Sequence, residues 1–357
     1  MPSLGWVKRP LQNDRFLRAC RREAVDATPV WFMRQAGRYM AEYRAIRAHH
    51  SLLEICKRPE LAAEVTLQPV ERLGVDAAIL FADILLILEP LDVGLEFVAG
   101  DGPSLRRPVG SARDVDRLPA FDVETELGFV AESVRTIVGR LDGRVPLIGF
   151  AGGPFTVASY LVEGGHSRSF VATKRLMYGE PEVWHRLMSR LASLTAAYLR
   201  MQIEAGADAV QLFDSWVGAL APEDYRRFVL PHSRAVLEPL AASGVPVIHF
   251  GTQTAGLLAD MRCAGGGVIG VDWRIELADA WDRLGPDVAV QGNLDPVALL
   301  APWPVAAEAA RGILASVAGR AGHVFNLGHG ILPETPVEAA ADLVQLVHEE
   351  SARLLAG

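Results

Sequence analysis

Residues 31–40 read WFMRQAGRYM. The apolar run Val30 to Met33 has the length and composition of a buried strand, yet it delivers two arginines, Arg34 and Arg38, around a small Gln35-Ala36-Gly37 turn. A strand that leaves the core into permanent positive charge has a direction. Its beginning is packed, and its C-terminal end faces something polar.

The rest of the chain repeats that pattern. Short apolar runs bounded by Gly, Pro or Asp alternate with longer Ala/Leu/Glu/Arg segments of helical spacing, which is the signature of repeated βα units. The runs are 29–34, 76–83, 145–151, 207–214, 245–250, 267–272, 287–292 and 323–328. Eight is the number that closes a barrel, so the expectation is an α/β fold: a single (β/α)8 TIM-type barrel domain over residues 1–357. Residues 86–120 hold too many Gly and Pro residues for a helix and read as a β-rich excursion after the second strand. Pro59, Pro222, Pro296 and Pro336 sit where a first helical turn tolerates a missing N–H, with Thr335 as a cap before Pro336. The final helix, 336–355, should pack through Val337, Ala340, Leu343, Val344, Val347 and Leu354.

Composition narrows the function classes. Of 357 residues, 50% are hydrophobic and 22% charged, which is globular. The net charge of -8 argues against nucleic acid or an anionic membrane surface as partner, since both need a basic face. Lysine occurs only at Lys8, Lys57 and Lys174, so arginine carries nearly all positive charge and signifies nothing until its position is argued. Cys20, Cys56 and Cys263 match no disulfide framework or paired zinc spacing. The N-terminal MPSLGWVKRP lacks the apolar core of a signal peptide, and Ala77 to Leu88 is too short for the ~20 apolar residues a bilayer needs. A reducing cytoplasm is expected.

Each run ends in a polar or glycine-rich tail: Arg34, Asp83, Gly152-Gly153, Asp214-Ser215, His249 to Thr252, Asp272, Asn293 to Asp295, and Gly328-His329-Gly330. In a barrel these tails converge on one rim, the face that carries the chemistry. There Arg34 and Arg38 either hold a ligand or cap carboxylates of neighbouring loops. A Schiff-base mechanism lacks its strand-end lysine. The Gly265–Gly270 run, GGGVIG, matches a dinucleotide fingerprint only formally, because it leads into a strand.

With MRQAGRYM, FADIL, GFAGGPFTVASYLVEG, FDSWVGAL and NLGHGI in view, the chain resembles the uroporphyrinogen decarboxylases of haem and tetrapyrrole biosynthesis, from about Asp14 to the last helix. The resemblance implies a distorted (β/α)8 barrel that pairs as a homodimer, uses no cofactor and no metal, and removes CO2 from the four acetate side chains of uroporphyrinogen III to give coproporphyrinogen III. It also implies a site. Arg34 and Arg38 would clamp substrate carboxylates, helped by the backbone N–H groups of Gln35, Ala36 and Gly37. Asp83 would face the pyrrole N–H groups and the positive charge that grows there. Tyr160, Ser215 and His329 would orient the reacting acetate and the other carboxylates.

Each of these has a plainer reading: Asp83 a strand-end carboxylate paired with an arginine, Tyr160 a packed helix residue, Ser215 a turn residue, His329 a satisfied turn histidine. The proton donor stays open among Arg34, a bound water and Tyr160. Ala82 stands where the family often has serine, removing one hydrogen bond beside Asp83. Two other functions are compatible with the fold. A cobamide-dependent methyltransferase would bind zinc through a His-x-Cys pair, where this chain has His249-Phe250-Gly251 and a separate Cys263. A non-catalytic tetrapyrrole carrier would not need Asp83.

Overall fold

A computed structural model describes residues 10–98 and 102–356. Nine strands lie within it: β1 (Ala78–Ile79), β2 (Leu95–Val98), β3 (Gly102–Leu105), β4 (Leu147–Gly152), β5 (Ala209–Phe213), β6 (Val247–Phe250), β7 (Val268–Gly270), β8 (Ala289–Gln291) and β9 (His323–Val324). Seven form one curled parallel sheet in the order β1-β4-β5-β6-β7-β8-β9, and helices fill the connections. The sequence of strand, helix, parallel strand is the βα repeat read from the hydrophobic runs.

The first run, 29–34, is not the regular strand expected. It lies between the two edges of the sheet as an extended segment with one parallel bridge, Val30 to Phe325. Phe325 N–H donates to Pro29 O (2.9 Å) on one side and Asp76 N–H to Val30 O (2.8 Å) on the other. Three side chains take the N–H groups that a ladder would use: Asp76 accepts from Val30 (2.7 Å), Gln35 from Phe32 (3.1 Å) and Asn326 from Met33 (3.1 Å). With Trp31 N–H bonded to Phe325 O (3.4 Å), every N–H from Val30 to Met33 is paired without a regular ladder. Trp31 and Phe32 are completely buried, contributing about 1.5–3 kcal/mol each to holding the segment in place.

The second run, 76–83, yields only the two residues of β1, and its last ladder bond is Leu80 N–H to Ile148 O (2.9 Å). Beyond it Gln202, from the helix Pro181–Ala205, replaces the missing neighbour of β4. Its Oε1 accepts from Phe150 N–H (2.8 Å) and its Nε2 donates to Phe150 O (2.9 Å). Phe81 N–H turns to Thr66 Oγ1 (2.9 Å). Residues 81–85 therefore leave the sheet and cross its C-terminal rim.

Among the described residues, the excursion at 86–120 is β in the antiparallel pair β2–β3, with one further bridge from Ser104 to Gly165. It opens with a 3-10 helix, Leu86–Leu91, and closes with the helix Ala112–Arg117. Leu86, Ile87, Leu88 and Leu91 are all buried, a spacing that a tight helix satisfies and an alternating strand does not. The last helix, Val337–Ala356, buries Ala340, Leu343, Val344 and Val347 as expected, but Leu354 is exposed in its final turns. The hydroxyl of Thr335 is buried without a partner among the described residues, so the expected cap does not form.

Candidate active site

The Arg34–Arg38 turn is held from below. Gln35 is completely buried: besides accepting from Phe32, its amide donates to Ala77 O (3.0 Å), its N–H donates to Phe32 O (3.0 Å), and its carbonyl accepts from Tyr39 Oη (2.6 Å). Gln35 therefore already commits its side chain and N–H to bonds within the protein. It is the peg that fixes the turn. The N–H groups of Ala36 and Gly37 donate to no acceptor among the described residues and stay available. Arg34 adopts a left-handed backbone (φ 60°), a conformation that costs a non-glycine residue about 1–3 kcal/mol and gathers at functional sites. Arg34 and Arg38 are exposed, and neither has a carboxylate within ion-pairing distance among the described residues. The plainer reading of the two arginines, as caps on neighbouring carboxylates, is not what the structure shows.

Asp83 lies on the segment that left the sheet. Gly152, at the end of β4, permits this: a Cβ there would sit 3.1 Å from Ile84 Cβ and 3.2 Å from Ile84 O. One carboxylate oxygen accepts from Leu85 N–H (2.8 Å), and no cation bonds to it directly among the described residues. Burial pushes its pKa above the ordinary aspartate value; the Leu85 N–H and the charge of Arg34 pull the other way without winning. Asp83 is a half-buried carboxylate with unused acceptor capacity.

Tyr160 projects from the helix Pro154–Glu163 and stacks on Trp216, with ring centroids 3.9 Å apart and planes inclined by 29°. Burial and the Asp83 charge raise its pKa to about 12, with Arg34 opposing. Near neutrality its phenol is a hydrogen-bond donor and a poor acid. A fully buried carboxyl sets the position of this helix: Asp214 accepts from Thr156 N–H (3.3 Å), Thr156 Oγ1 (3.0 Å) and Ser233 Oγ (3.3 Å). Thr156 Oγ1 in turn accepts from Trp216 N–H (3.2 Å), which fixes the tryptophan under Tyr160. Burial raises the Asp214 pKa to about 6.

Ser215, between them, has a half-buried hydroxyl with no protein partner among the described residues. His329 accepts Gly330 N–H at Nδ1 (2.7 Å), so its proton resides on Nε2 and can be donated. Burial, with the charges of Arg34 and Arg274, lowers its pKa to about 4 against the opposing pull of Asp272, and the ring is neutral at pH 7. The charge of Arg34 thus acts on Asp83, Tyr160 and His329 alike, three residues that follow three different strands or strand-like runs. The sequence reading missed Trp216 and Asp214 as parts of this arrangement, although both lie in the FDSWVGAL stretch it used.

Of the residues relevant to zinc, His249 is buried in β6 beside Gly266, and Cys263 is exposed in a helix. No group of three His, Cys, Asp or Glu side chains positioned to share a metal occurs among the described residues.

The geometry can be set beside known proteins. Among solved structures, a methyltransferase from Methanosarcina mazei superposes with a TM-score of 0.78 at 21% identity, covering 96% of this chain and 99% of that one. A B12-independent methionine synthase from Shewanella sp. W3-18-1 gives 0.54 at 13% identity over 82% of this chain and 88% of its own. At these identities the likeness is one of fold. In sequence, proteins named uroporphyrinogen decarboxylase are much nearer. That of Sorangium cellulosum is 60% identical, covering 94% of this chain and 96% of its own length, and that of Carboxydothermus hydrogenoformans is 55% identical over 95% and 97%. The family model described as Uroporphyrinogen decarboxylase (URO-D) matches residues 11–350. On this evidence the chain belongs to the uroporphyrinogen decarboxylase family.

Proposed function

We propose that this protein removes CO2 from the four acetate side chains of uroporphyrinogen III, leaving methyl groups and yielding coproporphyrinogen III. The observation that carries the reading is Asp83: a carboxylate without a bonded cation among the described residues, beside Arg34, Tyr160 and His329.

The chemistry needs an anion there. Protonation of the pyrrole carbon bearing an acetate converts the ring to a cation. As the bond to the carboxylate breaks, its electron pair flows into that cation and CO2 departs. The exocyclic carbon then takes a proton and the ring carbon gives one up, so each acetate consumes one proton net. The substrate is its own electron sink, and no cofactor is needed.

Asp83 accepts from the pyrrole N–H groups and its field stabilises the ring as it becomes positive, a contribution that preorganised charges make most strongly away from water. Arg34 and Arg38, exposed and without an ion-pair partner among the described residues, hold peripheral carboxylates with charge-assisted bonds of about 1.5–3 kcal/mol each. The N–H groups of Ala36 and Gly37 add donors beside them. Tyr160, Ser215 and the Nε2–H of neutral His329 donate to the remaining carboxylate oxygens and set which acetate stands over Asp83. A carrier would need only acceptors for the pyrrole N–H groups; a full negative charge at Asp83 adds most when the ring turns positive.

The finer architecture belongs to the same proposal: one (β/α)8 barrel domain across residues 1–357, with 29–34 in the eighth place. The carbonyls of Pro29 and Val30, which accept from Phe325 N–H and Asp76 N–H on either side, support it. So do a homodimer and a cytoplasmic location, as the family resemblance implies. No helix among the described residues is long and apolar enough to cross a membrane.

Anaerobic incubation with uroporphyrinogen tests the function. Release of CO2 with stepwise loss of carboxylates is the expected result. Tight binding without any CO2 would make the protein a carrier.

A further inference from the structure

A third guanidinium stands at the same mouth, in a stretch that none of the quoted motifs covers. Arg274 follows β7, with its Cζ 4.0 Å from the centroid of the Trp273 ring, and one of its terminal nitrogens bonds to Asp272, whose side chain is 1% exposed. Asp272 is itself fixed, accepting Gln253 N–H at 2.8 Å. The backbone under this group is tied down by Asn293, whose amide donates to Asp272 O (2.9 Å) and Ile275 O (2.7 Å).

The position relative to the proposed site follows from close packing. A Cβ at Gly328 would lie 2.5 Å from Trp273 N, and a Cβ at Gly330 would lie 2.5 Å from Arg34 Cδ. The Gly328-His329-Gly330 turn is therefore wedged between Arg34 on one side and Trp273-Arg274 on the other. Both arginines act on the intervening His329.

Arg274 is also free to bind. Its side chain is 43% exposed, and its Nε and second terminal nitrogen donate to no acceptor among the described residues. One nitrogen anchors the fork on a buried carboxylate, the indole sets its plane, and the other edge is left open. A planar guanidinium held in that way suits bidentate capture of a carboxylate, which a lysine in its place would not.

We propose that Arg274 is a third carboxylate-binding arginine of the site, gripping an acetate or propionate of the macrocycle across His329 from Arg34. The inference rests on the decarboxylase reading above.

Two variants test it, with steady-state kinetics on uroporphyrinogen and on a partly decarboxylated intermediate. Arg274→Gln should raise KM about tenfold, the equivalent of about 1.4 kcal/mol, while kcat stays within about twofold. Arg274→Lys should fall between that variant and the wild type, and it decides alone if the glutamine variant does not fold. An equal rise in KM for both substrates assigns a propionate; a smaller rise for the intermediate assigns an acetate. Unchanged KM in both variants, or a loss of kcat and thermal stability that lysine fails to relieve, overturns the proposal. Absence of CO2 release by the wild type would instead strike the decarboxylase reading itself.

Discussion

Asp76 and Asp83 stand at opposite ends of one short segment, seven residues apart, and the molecule treats them in opposite ways. Asp76 is 1% exposed and saturated. It accepts from Asn13 (2.8 Å), Arg15 (2.7 Å), Val30 N–H (2.7 Å) and His348 (2.7 Å). Burial alone would raise its pKa, but His348, Asn13 and Val30 hold it below the ordinary aspartate range. Asp83 has a single backbone donor among the described residues, and there burial prevails. The first carboxylate is closed, and it ties the first extended segment, the N-terminal helix region and the last helix together. The second is left open, at a cost to folding that a purely structural residue would not carry.

Substituting asparagine at each position sets the two roles against each other. The largest expected effect is at the open end: Asp83→Asn should lower kcat by about 10²–10³-fold, the range for loss of one preorganised electrostatic group, and change KM far less. Its thermal stability should be equal to or above wild type. The sign follows from the raised folded pKa: protonation favours the folded state, so the ionised form at neutral pH is a burden that asparagine relieves. A variant that kept its turnover and lost stability would invert the comparison.

Asp76→Asn should do the reverse. Loss of the buried charge strands Arg15 and His348, and denaturant unfolding should report a loss of about 3 kcal/mol, with kcat per folded molecule retained. The wild-type contribution of Asp76 is present above the unfolded aspartate pKa and disappears as pH falls through the lower folded value, so the two proteins should converge in stability in acid. Equal stability at neutral pH would show that the saturated end is not what holds the segments together.

Much of the open end was legible in the sequence. The strand-end tails placed Arg34, Arg38, Asp83, Ser215 and His329 on one rim, because hydrophobic periodicity reports which end of a run leaves the core. The family motifs supplied Tyr160. What escaped was the support. That 29–34 is extended but not laddered depends on Asp76 and Asn326, and Met33 and Asn326 are 293 positions apart in the chain. Gln35 entered through the family resemblance by way of its backbone N–H, and nothing in the local sequence shows that this N–H and the side chain are already bonded within the protein. Phe150 finds its missing partner in Gln202, 52 residues away, and Asp214 orients Tyr160 through Thr156 and Trp216. Periodicity measures burial, and none of these hydrogen bonds leaves a periodic trace.

The central claim is that Asp83 works as an anion facing a ring that turns positive, and the pH dependence of kcat/KM tests it most directly. At substrate concentrations well below KM, wild-type kcat/KM should fall as pH drops through the raised Asp83 pKa of the free enzyme, in a limb lying above the ordinary aspartate range, and that limb should be missing from the residual activity of Asp83→Asn. The same acid limb in both enzymes would contradict the account.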